Sequence, residues 1–172
     1  VEGRSDSTEY QADQTATAVR FLATTLSTVD DLDRGDRDRI TDAVRAGVAS
    51  LHDSLDGEGL PEPCQNIWED ASGQFTHTAA TFLEAYAKVA AAPVPDALAA
   101  SAEESARTVV DGLSQLWDAD RECYGMRLVD GEFDDRLDAA SLALVEAMWA
   151  WDRVDAADVD GDRIDRLASH MD

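Results

Sequence analysis

The sequence predicts an all-α chain. Apolar residues recur at three- and four-residue steps over most of its 172 residues. The prolines, and the close glycines Gly57 and Gly59, fall between those periodic stretches. Nothing reads as a core strand.

The first helix carries Ala12, Ala16, Val19, Leu22, Leu26 and Val29 on one stripe. Asp36 is the expected cap of a second, with Ile40, Val44, Val48, Leu51 and Leu55 on its inner face. Gly57, Gly59, Pro61 and Pro63 then force a loop. A third helix is expected over about residues 76–92, with Ala79, Phe82, Leu83, Tyr86 and Ala90 inward, and Pro93 and Pro95 end it. The fourth has the cleanest stripe: Leu98, Ala102, Ala106, Val109, Leu113 and Leu116. Residues 120–134 read as irregular or as a short hairpin turning at Asp130-Gly131. A fifth helix is expected over about residues 137–154. Between Ala139 and Trp151 its only polar residues are Ser141 and Glu146, a pattern for burial on more than one side. A sixth begins near Asp162. Such helices, joined by alternating short and long loops, suggest stacked helical hairpins, either in a solenoid or in a closed double layer.

Charge narrows the partners. Lys and Arg total 14 against 37 Asp and Glu, a net charge of -23. A phosphate backbone or an anionic membrane surface would be repelled, so neither nucleic acid nor membrane is an expected partner. No apolar run approaches the ~20 residues of a membrane span. Lys88 is the only lysine, and the acids are spread from Glu2 to Asp172. An evenly anionic, lysine-poor surface suits molar salt, where the Debye length falls to roughly 3 Å and self-repulsion is screened. A halophilic source is therefore expected. Cys64 and Cys123 make no disulfide framework and sit in no metal-ligand spacing. They leave the compartment open, with a cytoplasmic setting as the default. No signal peptide is visible; the chain opens at Val1 and stops at Asp172 within the expected sixth helix, so a piece of a larger protein is expected.

The segment richest in chemistry is Pro63-Cys64-Gln65-Asn66-Ile67-Trp68-Glu69-Asp70. An indole stacks on a pyranose ring, while adjacent carboxylates bind hydroxyls or donate a proton. Apolar surroundings would keep one carboxyl protonated as a general acid. The plainer reading has Trp68 plugging the core beside solvated acids. Asp158-Val159-Asp160-Gly161-Asp162 has the look of a calcium loop. Counted from Asp158, however, loop positions six and twelve hold Arg163 and Ser169, so no metal site is expected. His52, His77 and His170 have no mutual metal spacing, and His77 reads as a packed or surface residue close to the acidic loop.

Trp68-Glu69-Asp70-Ala71-Ser72-Gly73-Gln74-Phe75-Thr76-His77-Thr78 resembles the Trp-Glu-Glu loop and following helix of glycoside hydrolase family 15, the glucoamylases. Tyr10-Gln11-Ala12-Asp13-Gln14, Leu116-Trp117-Asp118 and the run from Asp135 to Leu144 resemble further family segments, in the family's order. The resemblance implies the middle of an (α/α)6 barrel of helical hairpins, approximately helices four to nine, over residues 1–172 with no second domain. It implies Glu69 as general acid, Trp68 packed beside it, and Asp70 binding sugar on the leaving-group side. Gln11 and Asp13 match positions near the pocket rim. Asn66 stands where the family commonly has aspartate, and Asp70 is one methylene shorter than the family's glutamate. Both departures alter the hydrogen bonding around the acid. The implied activity is inverting release of glucose from the non-reducing ends of an α-linked glucan or oligosaccharide, with no metal or organic cofactor. The base and the rest of the parent barrel would come from elsewhere in the protein, leaving the isolated chain inactive. The alternative is a non-catalytic helical-repeat scaffold or carbohydrate-binding domain with a degenerate form of the same fold.

Overall fold

A computed structural model describes residues 11–65, 67 and 71–154. Helix α1 (Ala12–Thr28) buries Ala12, Ala16, Val19, Ala23 and Leu26, an alternation of four- and three-residue steps. Helix α2 (Arg34–His52) buries Val44, Val48 and Leu51. Its cap is Asp33, whose carboxylate accepts the Asp36 N–H at 2.8 Å, rather than the expected Asp36. Asp36 lies in the first turn and holds Arg39 at 3.0 Å. Helices α3 (Thr76–Ala90) and α4 (Asp96–Gly112) follow, separated by the two prolines. A 3-10 turn (Leu113–Leu116) extends α4.

The fifth helix is shorter than expected. The Asp138 carboxylate accepts the Ala140 N–H at 3.0 Å and starts a 3-10 turn (Ala139–Leu142), and α5 covers only Ala143–Asp152. Helix α5 buries Leu144, Val145, Ala147, Met148, Ala150 and Trp151, on more than one side as its sequence predicts, and leaves Trp149 55% exposed. The surrounded helix is α3, in which Phe82, Leu83, Tyr86 and Val89 are fully buried between α1, α4 and α5.

Side-chain pairs give the helix directions. Asp13 meets His77 and Arg20 meets Glu84, in the same order along both helices, so α1 and α3 run parallel. His77 also reaches the carbonyl of Ala140, just ahead of α5, which aligns the starts of α3 and α5. Helices α1, α3 and α5 thus form one row. Behind them α2 packs on α1 and α4 on α3, and His52 Nδ1 lies 3.2 Å from Ser105 Oγ between the two. The apolar core fills the space between the rows. Gly112 closes α4 against a loop: a Cβ there would lie 2.6 Å from the carbonyl carbon of Gly59, which itself has φ 92°.

Short strands occupy the connections: β1 (Cys64–Gln65), β2 (Ser72–Phe75), β3 (Trp117–Asp118), β4 (Cys123–Tyr124), β5 (Arg127–Val129) and β6 (Glu132–Asp134). They form a four-stranded antiparallel sheet in the order β1-β2-β5-β6 and a two-stranded one of β3 and β4. This overturns the all-α class, and with it the description as part of an (α/α)6 barrel made of helical hairpins alone. At two to four residues each, the strands are too short to print an alternating pattern. The hairpin at Asp130-Gly131 is present: both residues have positive φ, 52° and 79°, as a type I′ turn requires.

The larger sheet joins the residues on either side of the acidic segment. Cys64 pairs with Gly73 and Gln65 with Ser72, so both ends of the stretch 66–71 are pinned together. Strand β2 then runs directly into α3. Gln74 Nε2 donates to Asp56 Oδ2 at 2.6 Å and to the Pro61 carbonyl at 3.2 Å, tying β2 to the preceding loop. Arg127 donates to the Ser72 carbonyl at 3.0 Å and holds Asp134 at 3.2 Å. The Arg136 guanidinium, joined by Arg127, keeps the Asp134 carboxyl well below the usual carboxylate range.

Candidate functional site

The parallel row gives α1, α3 and α5 a shared polar face. Asp13, Thr17 and Arg20 recur at helical steps along α1, and His77, Thr81 and Glu84 along α3. With Gln11 and Glu146 they line a cleft of about 460 Å³, and Ile67 stands at its edge. The opposite faces of the same helices are the apolar stripes, so one periodicity builds the core and the cleft together.

Two polar pairs set the cleft's electrostatics. Arg20 Nη1 donates to Glu84 Oε2 at 2.7 Å, and the Glu84 side chain is only 9% exposed. His77 Nδ1 donates to the Ala140 carbonyl at 3.0 Å, which turns Nε2 toward Asp13 Oδ2 at 3.5 Å. Burial works to lower the His77 pKa. The Asp13 side chain, the Ala140 carbonyl and the charges of Asp13 and Asp138 together outweigh it and raise the pKa above its ordinary value. Asp13 is buried, and its Oδ1 has no hydrogen-bond partner among the described residues. Cys64 lies against Ala12 and Asp13, where burial pushes its thiol up. The cleft therefore offers acceptors at Asp13, Glu84 and Glu146 and donors at Gln11, Arg20 and His77.

Of the residues singled out in the sequence, Gln11 and Asp13 lie in this cleft. Trp68, Glu69 and Asp70, with Asn66 beside them, fall outside the described residues, as do the Asp158–Asp162 stretch and the sixth helix. His77 forms part of the cleft wall with 13% of its side chain exposed. Among the described residues no cluster of His, Cys, Asp and Glu is arranged to hold a metal ion. Sequence reasoning missed Arg20 and Glu84. The available signal was Glu84 itself, a carboxylate inside the otherwise apolar run Phe82–Ala87.

No protein-family model and no curated protein sequence matches the chain. Among solved structures, a rhamnosidase from Klebsiella oxytoca with rhamnose bound is similar over 87% of this chain, with a TM-score of 0.64 and 16% sequence identity. The chain has a glycosidase-like fold. It spans 30% of that rhamnosidase chain, and at this identity the likeness is one of fold.

Proposed function

We propose that this chain is part of an inverting glycoside hydrolase that releases glucose from the non-reducing ends of α-linked glucans, with Glu69 as general acid. One observation carries the reading. Ile67, two residues before Glu69 in sequence, edges a cleft whose walls alternate carboxylates with Arg20 and His77. Sugar hydroxyls both donate and accept, so such walls suit a neutral saccharide. The glycosidase-like fold is in keeping with this, and the resemblance to glucoamylases supplies the role of Glu69.

In this mechanism Glu69 protonates the leaving glycosidic oxygen, and Trp68 lowers the local dielectric so that the acid stays protonated until needed. As the resemblance implies, Asp70 binds the sugar on the leaving-group side, and Gln11 and Asp13 belong to the pocket rim, where Asp13, held by His77, accepts a hydrogen bond from a hydroxyl. Water attacks from the opposite face, activated by a carboxylate roughly 6.5–9.5 Å from the acid. That base belongs to protein outside these 172 residues, and the net charge of -23 fits an enzyme working in molar salt.

The test is hydrolysis by the full-length gene product in molar salt, offered maltooligosaccharides and α-rhamnosides in parallel, with the first-formed anomer followed by NMR. Release of β-glucose from maltooligosaccharides is expected. Release of rhamnose alone would move the substrate to a different sugar. No hydrolysis of either would favour a carbohydrate-binding or scaffold role.

A further inference from the structure

The cleft does not end at Glu84 and Glu146. Both carboxylates also line a second chamber of about 200 Å³, completed by Lys88, Trp149, Ala150 and Arg153. The two hollows share those two side chains and form one trough along α3 and α5. Glu84 and Lys88 are four residues apart on α3. Glu146 and Trp149 on α5, and Arg153 that caps it, follow at three- and four-residue steps. The trough is therefore written into the helical repeat of both elements.

Its chemistry differs from the rest of the surface. Elsewhere arginines sit on carboxylates: Arg39 on Asp36, Arg45 on Asp42, Arg121 on Asp135. Lys88 and Arg153 form no ion pair among the described residues, in a chain with 37 acids, and both face this chamber. Each lies at the C-terminal end of its helix, where the backbone dipole offsets part of its charge. With Glu84 held by Arg20, the chamber presents ammonium and guanidinium donors, a carboxylate acceptor at Glu146 and little net charge. Trp149 adds an indole that is 55% exposed between the buried residues Met148 and Ala150. A flat aromatic face among mixed donors and acceptors suits a pyranose ring and suits poorly an anion or a purely apolar ligand.

We infer that the second chamber is a further sugar-binding subsite, with Trp149 as its stacking platform and Lys88 and Arg153 as hydroxyl donors. The trough thereby takes a neutral oligosaccharide of at least two units. The inference rests on the saccharide reading of the first chamber and adds a length preference to it.

The experiment measures binding of glucose and of maltotriose in its non-hydrolysable thio-linked form to the full-length gene product by calorimetry, for the wild type, Trp149→Ala and Lys88→Met. Expected is tighter binding of maltotriose than of glucose by the wild type. Trp149→Ala should lose about tenfold in maltotriose affinity with glucose binding unchanged, as removal of one stacking face implies. Lys88→Met should weaken maltotriose in the same selective way. Equal maltotriose affinity in the wild type and both variants overturns the second subsite while leaving the saccharide reading standing. Wild-type protein that binds neither sugar overturns both. Because Trp149 is exposed and Lys88 is half-buried, these variants leave the core packing in place.

Discussion

Arg20 and Glu84 meet at 2.7 Å and join the first helix of the parallel row to its central helix, 64 residues further along the chain. The pair is lopsided, with Arg20 40% exposed and Glu84 9% exposed. Removing the arginine strands a nearly buried carboxylate, whereas removing the carboxylate frees an arginine that water still reaches. Arg20→Met is therefore expected to cost roughly 1–2 kcal/mol, between the values for exposed and buried pairs. Glu84→Gln should cost less. Urea denaturation of the two variants orders them, and equal losses would contradict the asymmetry.

His77 gives a pH dependence of definite sign. Its folded-state pKa is raised by Asp13, the Ala140 carbonyl and Asp138 against the opposing effect of burial. A group with a raised folded pKa contributes stability that is fully present below the unfolded value of about 6.5 and is lost as pH rises through the folded value. The melting temperature of the wild type minus that of His77→Gln should accordingly fall as pH rises from about 6 upward. The difference cancels the general titration of the acidic surface. A difference that grows with pH would contradict the assignment.

Two glycines at packing contacts should respond differently to a single methyl. At Gly112 the added Cβ would meet the Gly59 backbone at 2.6 and 2.7 Å, with no side chain free to move. Gly112→Ala should cost about 1–3 kcal/mol. At Gly47 the obstacle is the Val19 side chain, so Gly47→Ala should be largely rescued by Val19→Ala. Thermal melts of the double variant decide this, and an absence of rescue would place the strain in the α1–α2 backbone instead.

Both cysteines are buried, 2% exposed for Cys64 and 4% for Cys123, and burial raises the pKa of each thiol. Neither should react with a thiol reagent in the folded protein at neutral pH, and both should react on denaturation. Mass spectrometry after brief alkylation counts the adducts. Rapid native labelling of Cys64 would mean that its cover by the starts of α1 and α3 opens.

The helices were legible because each buries a stripe long enough to show its period. The spacing of Ala12 to Leu26 and of Leu98 to Val109 leaves little choice. The strands were not legible, since Cys64–Gln65 or Trp117–Asp118 is too short for any alternation, and what creates them is pairing with distant segments. Only Asp130-Gly131 announced itself, through the conformational demand of its turn. In the cleft, Gln11 and Asp13 came from a family resemblance. The Arg20–Glu84 and Asp13–His77 pairs depend on helix register across some sixty residues, which no local pattern encodes. Glu146 was visible as an isolated acid on an apolar helix, yet its role as the shared wall of two chambers needed three dimensions.

The proposed role of Glu69 is tested most directly by a pair of substrates with the Glu69→Gln variant of the full-length gene product. Maltotriose needs its leaving oxygen protonated, whereas α-glucosyl fluoride expels a leaving group that does not. If Glu69 is the general acid, the variant loses roughly 10²–10⁴-fold in kcat on maltotriose and keeps most of its rate on the fluoride. Equal losses on both substrates, or no loss on maltotriose, would contradict that role.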